Sequence, residues 1–374
     1  MASPKTIVLA GGGHAHLGVL NAWALAPPPG TARVLVTAAR HTAYSGMLPG
    51  WMAGLYDETD ILIDLEPLAA AAGTRLMLNE VTGLDADAGH LRLACGGSAA
   101  FDILSLATGG EVDAAAFAAT GPRLLPVRPV PAFMADWQAA LATPRAGGEL
   151  DVAVVGGGAG GFELVCAAHA AMTRRHGNAC IALVTPPGSL LAGHAPPVIA
   201  RARAALAARG IRLVEALAAG HRDGLMLGDG TVLAAGVVII ATGSRAPGWL
   251  AGSGLAVTPA GFVMVDGTLA SLSHPHILAA GDIIDRQDRP LPRSGVHAVK
   301  AGPVLAANIG ARITGAALTE YQPPARNLYL MATGDFRAIL SWGPLGLGGA
   351  GWVGGLLWRL KHGIDSGFMR RNRR

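Results

Sequence analysis

The sequence predicts an α/β fold with two Rossmann-like dinucleotide-binding units, on three observations. The first is an apolar strand that runs straight into a glycine turn, Thr6-Ile-Val-Leu-Ala-Gly-Gly-Gly-His-Ala-His16. The second is a repeat of that pattern at Asp151-Val-Ala-Val-Val-Gly-Gly-Gly-Ala-Gly-Gly-Phe-Glu163. The third is that each copy is followed at a distance by an apolar run ending in Ala-Thr-Gly, which places Thr108-Gly109 and Thr242-Gly243 at strand ends. Glycines in such a turn let the backbone approach a pyrophosphate, and the helix that follows offers free N–H groups and the positive end of its dipole to the anion. Two turns with the same landmarks in the same order imply two nucleotide sites.

Taken in order, the first unit reads as a strand over 6–10, the turn, a helix over 14–25 stopped by Pro27-Pro-Pro-Gly30, and a strand over 32–36. Gly11, Gly12 and Gly13 form the turn, with His14 opening the helix and His16 in place of the third motif glycine. His16 either reaches the pyrophosphate or caps the helix at a slightly wider strand spacing. A ribose-holding acid is expected at the end of the second strand, but Thr37 and Ala38 stand there. The stretch 42–50 is expected to be a loop, and its Tyr44, Met47 and Pro49 either pack on their own domain or cover a flat ring. Runs at 74–78, 90–94 and 101–106, after a helix at 65–72, read as a small antiparallel section.

Residues 113–150, with Pro122, Pro126, Pro129, Pro131 and Pro144, read as a connection carrying one helix over 131–141. The second unit has glycine at all three motif positions, Gly156, Gly158 and Gly161, and a helix running to 176. Its second strand, 180–184, again ends without an acid, at Thr185; the next carboxylate is Glu215. A helix over 197–209 follows, with strands at 211–214, 225–227, 232–233 and 237–240. Gly281 and Asp282 directly follow a buried strand, where an Asp reaches out of the sheet to accept hydroxyl hydrogen bonds. A helix starts at Gly295-Val-His297 and runs to about 313. Residues 326–342 read as a hairpin turning at Thr333-Gly-Asp335.

Composition bounds the rest. Half of the 374 residues are hydrophobic (51%) and only 14% are charged, more apolar than an ordinary cytosolic enzyme, so an exposed apolar surface is expected. The net charge is +4, whereas residues 359–374 alone carry +5, an uneven balance that excludes a general nucleic-acid surface and favours a local anionic contact. From Ala338 to Trp358 there are 21 uncharged residues, but eight are glycine or proline, which disfavours a spanning helix. A short amphipathic helix over 352–362, with Trp352, Leu356 and Trp358 in a membrane interface and the basic tail on lipid phosphate, is the expected form. Cys95, Cys166 and Cys180 have no metal spacing, no metal site is expected, and the N-terminus does not read as a signal peptide.

With these landmarks placed, the sequence resembles the pyridine nucleotide-disulfide oxidoreductases, flavoproteins with two dinucleotide-binding domains, over essentially its whole length. Within them it is similar to type II NADH dehydrogenases and to the flavoprotein domain fused to some selenide, water dikinases. The closer likeness rests on Gly11–His16, Tyr44-Ser-Gly-Met-Leu-Pro-Gly50, Ala241-Thr-Gly-Ser-Arg-Ala-Pro247, Ala279-Ala-Gly-Asp282 and the ending from Trp358 to Arg370.

The resemblance implies FAD on the first unit, Asp282 on its ribityl chain, residues 44–49 beside the isoalloxazine, and the N–H groups of Gly295, Val296 and His297 at the flavin O2. It implies NAD(P)H on the second unit, with Glu163 near the nicotinamide and flavin as the catalytic residue; the alternative is an acid that complements the helix dipole. The implied arrangement is a discontinuous FAD domain (1–112 and 248–316), a connection (113–150), an inserted NAD(P)H domain (151–247) and a C-terminal α+β segment (317–374). The expected activity is hydride transfer from NAD(P)H and electron transfer to a quinone or similar acceptor. The alternatives are oxidation of a sulfur or selenium species, or a non-catalytic flavin module. Expected partners are the small acceptor, a membrane surface at the tail and a second copy in a homodimer, with the protein cytoplasmic and peripheral on the cytoplasmic membrane face.

Overall fold

In this computed structural model, residues 4–142 and 150–373 are described. Pro144 at the end of the connection and Arg374 of the basic tail lie outside them.

The chain begins with strand β1 (Lys5–Ala10), helix α1 (His14–Leu25) and strand β2 (Thr31–Thr37), joined later by β3 (Arg75–Leu78) and β4 (Ile103–Leu106). All pair in parallel, β1 lying between β2 and β4, with a strand from far along the chain, Ile277–Ala279, beyond β4. The four residues of β4 are buried, as parallel strands covered on both faces must be. Because the chain switches sides at β1, a crevice opens at its carboxyl end, where the glycine turn lies. Two expectations are corrected here. Residues 75–78 and 103–106 belong to this main sheet; only 81–85, 90–93 and 98–100 form the antiparallel section. A short alternating run fits an edge strand of either kind, and β3 is such an edge.

The second sheet repeats the plan. Strands β5 (Leu124–Pro126), β6 (Leu150–Val155), β7 (Ile181–Thr185) and β8 (Arg212–Glu215) are followed by β9 (Ala218–His221), β10 (Gly224–Leu227) and β11 (Val232–Ile240), with helices α2 (Ala159–His176) and α3 (Pro196–Ala208) between them. The order is β8-β7-β6-β11-β10-β9, and β5 pairs with β11. The two runs read at 232–233 and 237–240 are one strand. Its first residues pair antiparallel with β10 and its later ones parallel with β6.

The chain then returns to the first sheet with β12 (Ile277–Ala279), and helix α4 (Gly295–Thr314) lies on α1. A Cβ on Gly18 would come within 2.9 Å of the Gly302 backbone, so both positions need glycine for this approach. The close packing brings the start of α4 toward the first glycine turn.

The C-terminal part is a three-stranded antiparallel sheet, β13 (Tyr329–Ala332), β14 (Ala338–Trp342) and β15 (Leu345–Gly348), and helix α5 (Gly351–Asn372). The hairpin turns where the sequence indicated; β15 was not anticipated. The terminal helix is 22 residues long. Of the side chains expected in lipid, Trp358 is buried and stacks near Tyr56 with ring centroids 5.9 Å apart. Lys361, counted with the basic tail, is also buried.

Candidate functional site

Each glycine turn meets an Ala-Thr-Gly strand end. Gly11 has φ +96°, and a Cβ there would lie 2.6 Å from the Ala107 carbonyl oxygen; Gly156 has φ +131° and faces the Ala241 carbonyl in the same way. The helices that follow, α1 and α2, have glycine N-caps, Gly13 and Gly158, with no side-chain cap and no acid in the first turn. Helix α4 likewise starts at Ser294 without a side-chain cap. Their first N–H groups have no intrahelical acceptor and remain available to an anion. The hydroxyls of Thr108, Thr242 and Ser294 are buried with no protein partner. Gly109, Gly158 and Gly243 face open space, so nothing in the protein fills the volume before them. These residues fit the diphosphates and sugars of two dinucleotides.

Around the first turn the structure gathers His14, Tyr44 and Asp282. The His14 ring lies 5.6 Å from that of Tyr44, edge to face, and burial pushes its imidazole down to about 4, with Asp282 opposing and Arg128 reinforcing the shift. Asp282 is buried next to Gly281 (φ +84°). Its Oδ2 pairs with Arg128 at 2.6 Å and accepts a 3.4 Å hydrogen bond from Ser244. Arg128, from the connecting segment, was not singled out in the sequence, where an Arg before a proline carries no signal.

Three expectations change. His16 is fully buried and does not face the crevice. Its Nδ1 lies 2.6 Å from the Gly11 carbonyl oxygen and its Nε2 2.8 Å from Ser105 Oγ, so it neither reaches a pyrophosphate nor caps α1. The last three residues of the expected loop at 42–50 start a short helix, Leu48–Met52, buried throughout; Met47, its N-cap, and Pro49 are core residues, and only Tyr44 turns toward His14. At the start of α4, the His297 N–H already donates to the Ser294 carbonyl at 3.1 Å. Its ring is committed to the Tyr321 hydroxyl (3.0 Å) and Asn327 (3.1 Å), which leaves Gly295 and Val296 as the free donors.

A cluster of buried charges was not anticipated. Glu163 accepts a 2.7 Å hydrogen bond from the Ala332 N–H, and Lys361 Nζ lies 4.0 Å from its Oε1. Lys361 also pairs with Asp365 at 3.0 Å and donates to the Gly46 carbonyl at 2.8 Å. The Tyr44 hydroxyl donates to Asp365 Oδ1 at 3.1 Å, and Phe368 stacks on the Tyr44 ring at 4.3 Å. Burial raises the carboxyls of both Glu163 and Asp365 despite the ammonium between them. Burial alone would lower Lys361, but the two carboxylates outweigh it and raise its pKa. The available signal was the Lys361/Asp365 pair at i,i+4, the one acid in a basic tail.

The sequence profile of the pyridine nucleotide-disulphide oxidoreductases matches residues 5–302. The chain belongs to this family. It therefore binds FAD and uses NAD(P)H, as an oxidoreductase of the family's general kind. Among solved structures it is similar to NDH2 of Plasmodium falciparum in complex with NADH (TM-score 0.81, 11% identity, covering 99% of this chain and 97% of that one). It is also similar to the sulfide:quinone oxidoreductase of Aquifex aeolicus (TM-score 0.80, 17% identity, 99% and 91%). A third likeness is the ferredoxin reductase for the CYP199A2 system of Rhodopseudomonas palustris (TM-score 0.74, 21% identity, 90% and 81%). At these identities the likeness is one of fold. No curated protein matches the sequence. Among the described residues no helix is long and apolar enough to cross a membrane, and no group of side chains is placed to hold a metal ion.

Proposed function

We propose that the protein is an NAD(P)H:quinone oxidoreductase, similar in kind to type II NADH dehydrogenases, that works at a membrane surface. The observation that supports this best is the buried cluster of Glu163, Lys361, Asp365 and Tyr44. Bound FAD supplies the two-electron step between donor and acceptor. Reducing a quinone to the quinol takes up one proton beyond the hydride that the donor supplies, and a buried acid can relay it. Two buried carboxylates share one ammonium here, and burial raises both carboxyls, which favours their protonated form relative to an exposed acid. Lys361 Nζ bridges Asp365 Oδ2 and Glu163 Oε1, and the hydrogen-bonded chain ends at the Tyr44 hydroxyl on Asp365 Oδ1, the Tyr44 ring lying against His14. Glu163 acts in this reading as the catalytic acid.

The same helix supports the membrane reading on its other side. Trp352, Leu356, Leu360 and Ile364 form an exposed apolar stripe, Trp352 being 80% exposed, with Arg359, Arg370 and Arg371 also at the surface. Exposed Trp342, Leu345 and Leu347 of the neighbouring strands extend the patch. Such a face suits the interface of an anionic bilayer.

Sulfur or selenium chemistry has less support. Cys166 is fully buried and burial pushes its thiol up to about 12. Cys180 lies just before β7, at the amino end of the strand and away from the glycine turn, and Cys95 is on the turn after residues 90–93.

The test is anaerobic. NADH or NADPH is expected to bleach the yellow flavin, and a short-chain quinone to restore it. A flavin that stays oxidised with both donors, or is not reoxidised by quinone, overturns the reading. Lys361→Met is expected to slow quinone reoxidation by about a hundredfold while leaving reduction by the donor within a few-fold. Leu356→Glu is expected to release the protein from anionic vesicles; deleting 351–374 would not isolate this effect, because Lys361, Asp365 and Phe368 are core contacts.

A further inference from the structure

In a Rossmann unit the adenosine ribose is read by an acid at the end of the second strand. In the donor unit that strand, β7, ends on Thr185, a hydroxyl and not an acid, which is buried against Gly157 where a Cβ would run into it. Pro186 and Pro187 follow and offer no N–H donor. One strand over, β8 ends on Glu215, which stands in register with Thr185. Its Oε1 accepts a 3.3 Å hydrogen bond from the N–H of Gly188, in the loop that leaves β7, so the carboxylate sits against that loop. Arg203 of α3 grips both oxygens, at 2.8 Å to Oε1 and 3.1 Å to Oε2. This guanidinium holds the Glu215 carboxyl below the usual carboxylate range, so it is ionised at neutral pH.

We propose that Glu215, anchored by Arg203, is the donor-selecting residue of this protein: it takes the place of the missing strand-end acid, accepts the 2′-hydroxyl of NADH and repels the 2′-phosphate of NADPH. Its four lone-pair directions leave room for a hydroxyl beside the bonds it already accepts. Arg203 is the positioning residue. Its bidentate fork is spent on Glu215 and so is withheld from a phosphate that would otherwise attract it. The inference rests on the second glycine turn being the NAD(P)H site and is independent of the acceptor.

The experiment is equilibrium binding of NAD⁺ and NADP⁺ to the holoenzyme by calorimetry, with no turnover needed. Wild type is expected to bind NAD⁺ tighter by about tenfold or more, the size of one charge-assisted hydrogen bond at an accessible site. Glu215→Gln is expected to weaken NAD⁺, strengthen NADP⁺ and bring the ratio near unity. Arg203→Ala, which keeps the carboxylate but frees it, is expected to cut the ratio by a smaller factor. Both side chains are at the surface, so both variants fold. Equal binding by wild type, tighter NADP⁺ binding, or a ratio unchanged in Glu215→Gln overturns the selectivity but leaves the donor site standing. Binding of neither nucleotide by a yellow protein overturns both.

Discussion

The two glycine turns begin alike and diverge at one position. Gly161 of the second turn packs directly over the Gly156 carbonyl oxygen, and a Cβ there would run into it. His16 holds the matching place in the first turn, and its ring nitrogen satisfies the matching oxygen, that of Gly11, at 2.6 Å. The neighbouring strand follows suit. Ser105, opposite Leu9, takes the other ring nitrogen, whereas the second unit has Ile239 opposite Val154 and no polar group to satisfy. One backbone oxygen is thus covered in two ways, by close helix packing or by a buried imidazole with its own partner. The substitution that looks in sequence like a damaged motif is one half of a matched pair.

Breaking the pair is expected to have the largest effect. His16→Ala leaves a cavity, an unpaired Ser105 hydroxyl and an uncovered Gly11 carbonyl, and should lower unfolding free energy by about 3–5 kcal/mol in urea denaturation. The double variant His16→Gly/Ser105→Ile rebuilds the second unit's pattern in the first and should recover at least half of the loss; a double variant no more stable than His16→Ala would sink the comparison. Gly161→Ala comes next. The added methyl forces α2 away from β6, at about 2–4 kcal/mol, and donor binding should fall while the flavin is retained.

The smallest effect is that of acid. Burial lowers His16 from its usual 6.5 to about 4, so the unfolded chain takes up the proton first. The stabilising contribution is complete above pH 6.5 and is lost as the pH falls toward 4, amounting to about 2 kcal/mol at pH 5. The double variant should lack this component, which a pH series of denaturation midpoints would reveal.

Much of this protein was legible in its sequence. The strands, glycine turns, Ala-Thr-Gly ends and Asp282 follow from short-range rules: a turn with φ above zero takes glycine, and a buried parallel strand takes an unbroken apolar run. The bounds of α1, α3 and α4 and the end of α2 were readable within one or two residues for the same reason. What failed depended on distant neighbours. Trp358 and Lys361 face Tyr56 and Glu163, which lie hundreds of residues earlier, so the helix that carries them showed its apolar and basic character but not the direction of its faces. The strand after residue 344 was hidden by its glycines, whose pairing with β14 only the sheet reveals.

The sequence by itself therefore determined that there are two strand, glycine-turn and helix units and where each begins, because the backbone geometry of such a turn is written in adjacent residues. Tertiary structure alone decided what occupies the remaining contacts. It turned His16 inward onto Ser105, set Arg128 against Asp282, and carried Lys361 and Asp365 to Glu163 and Tyr44. A buried polar group must find its partner wherever the packed chain brings one, and local sequence does not encode that distance.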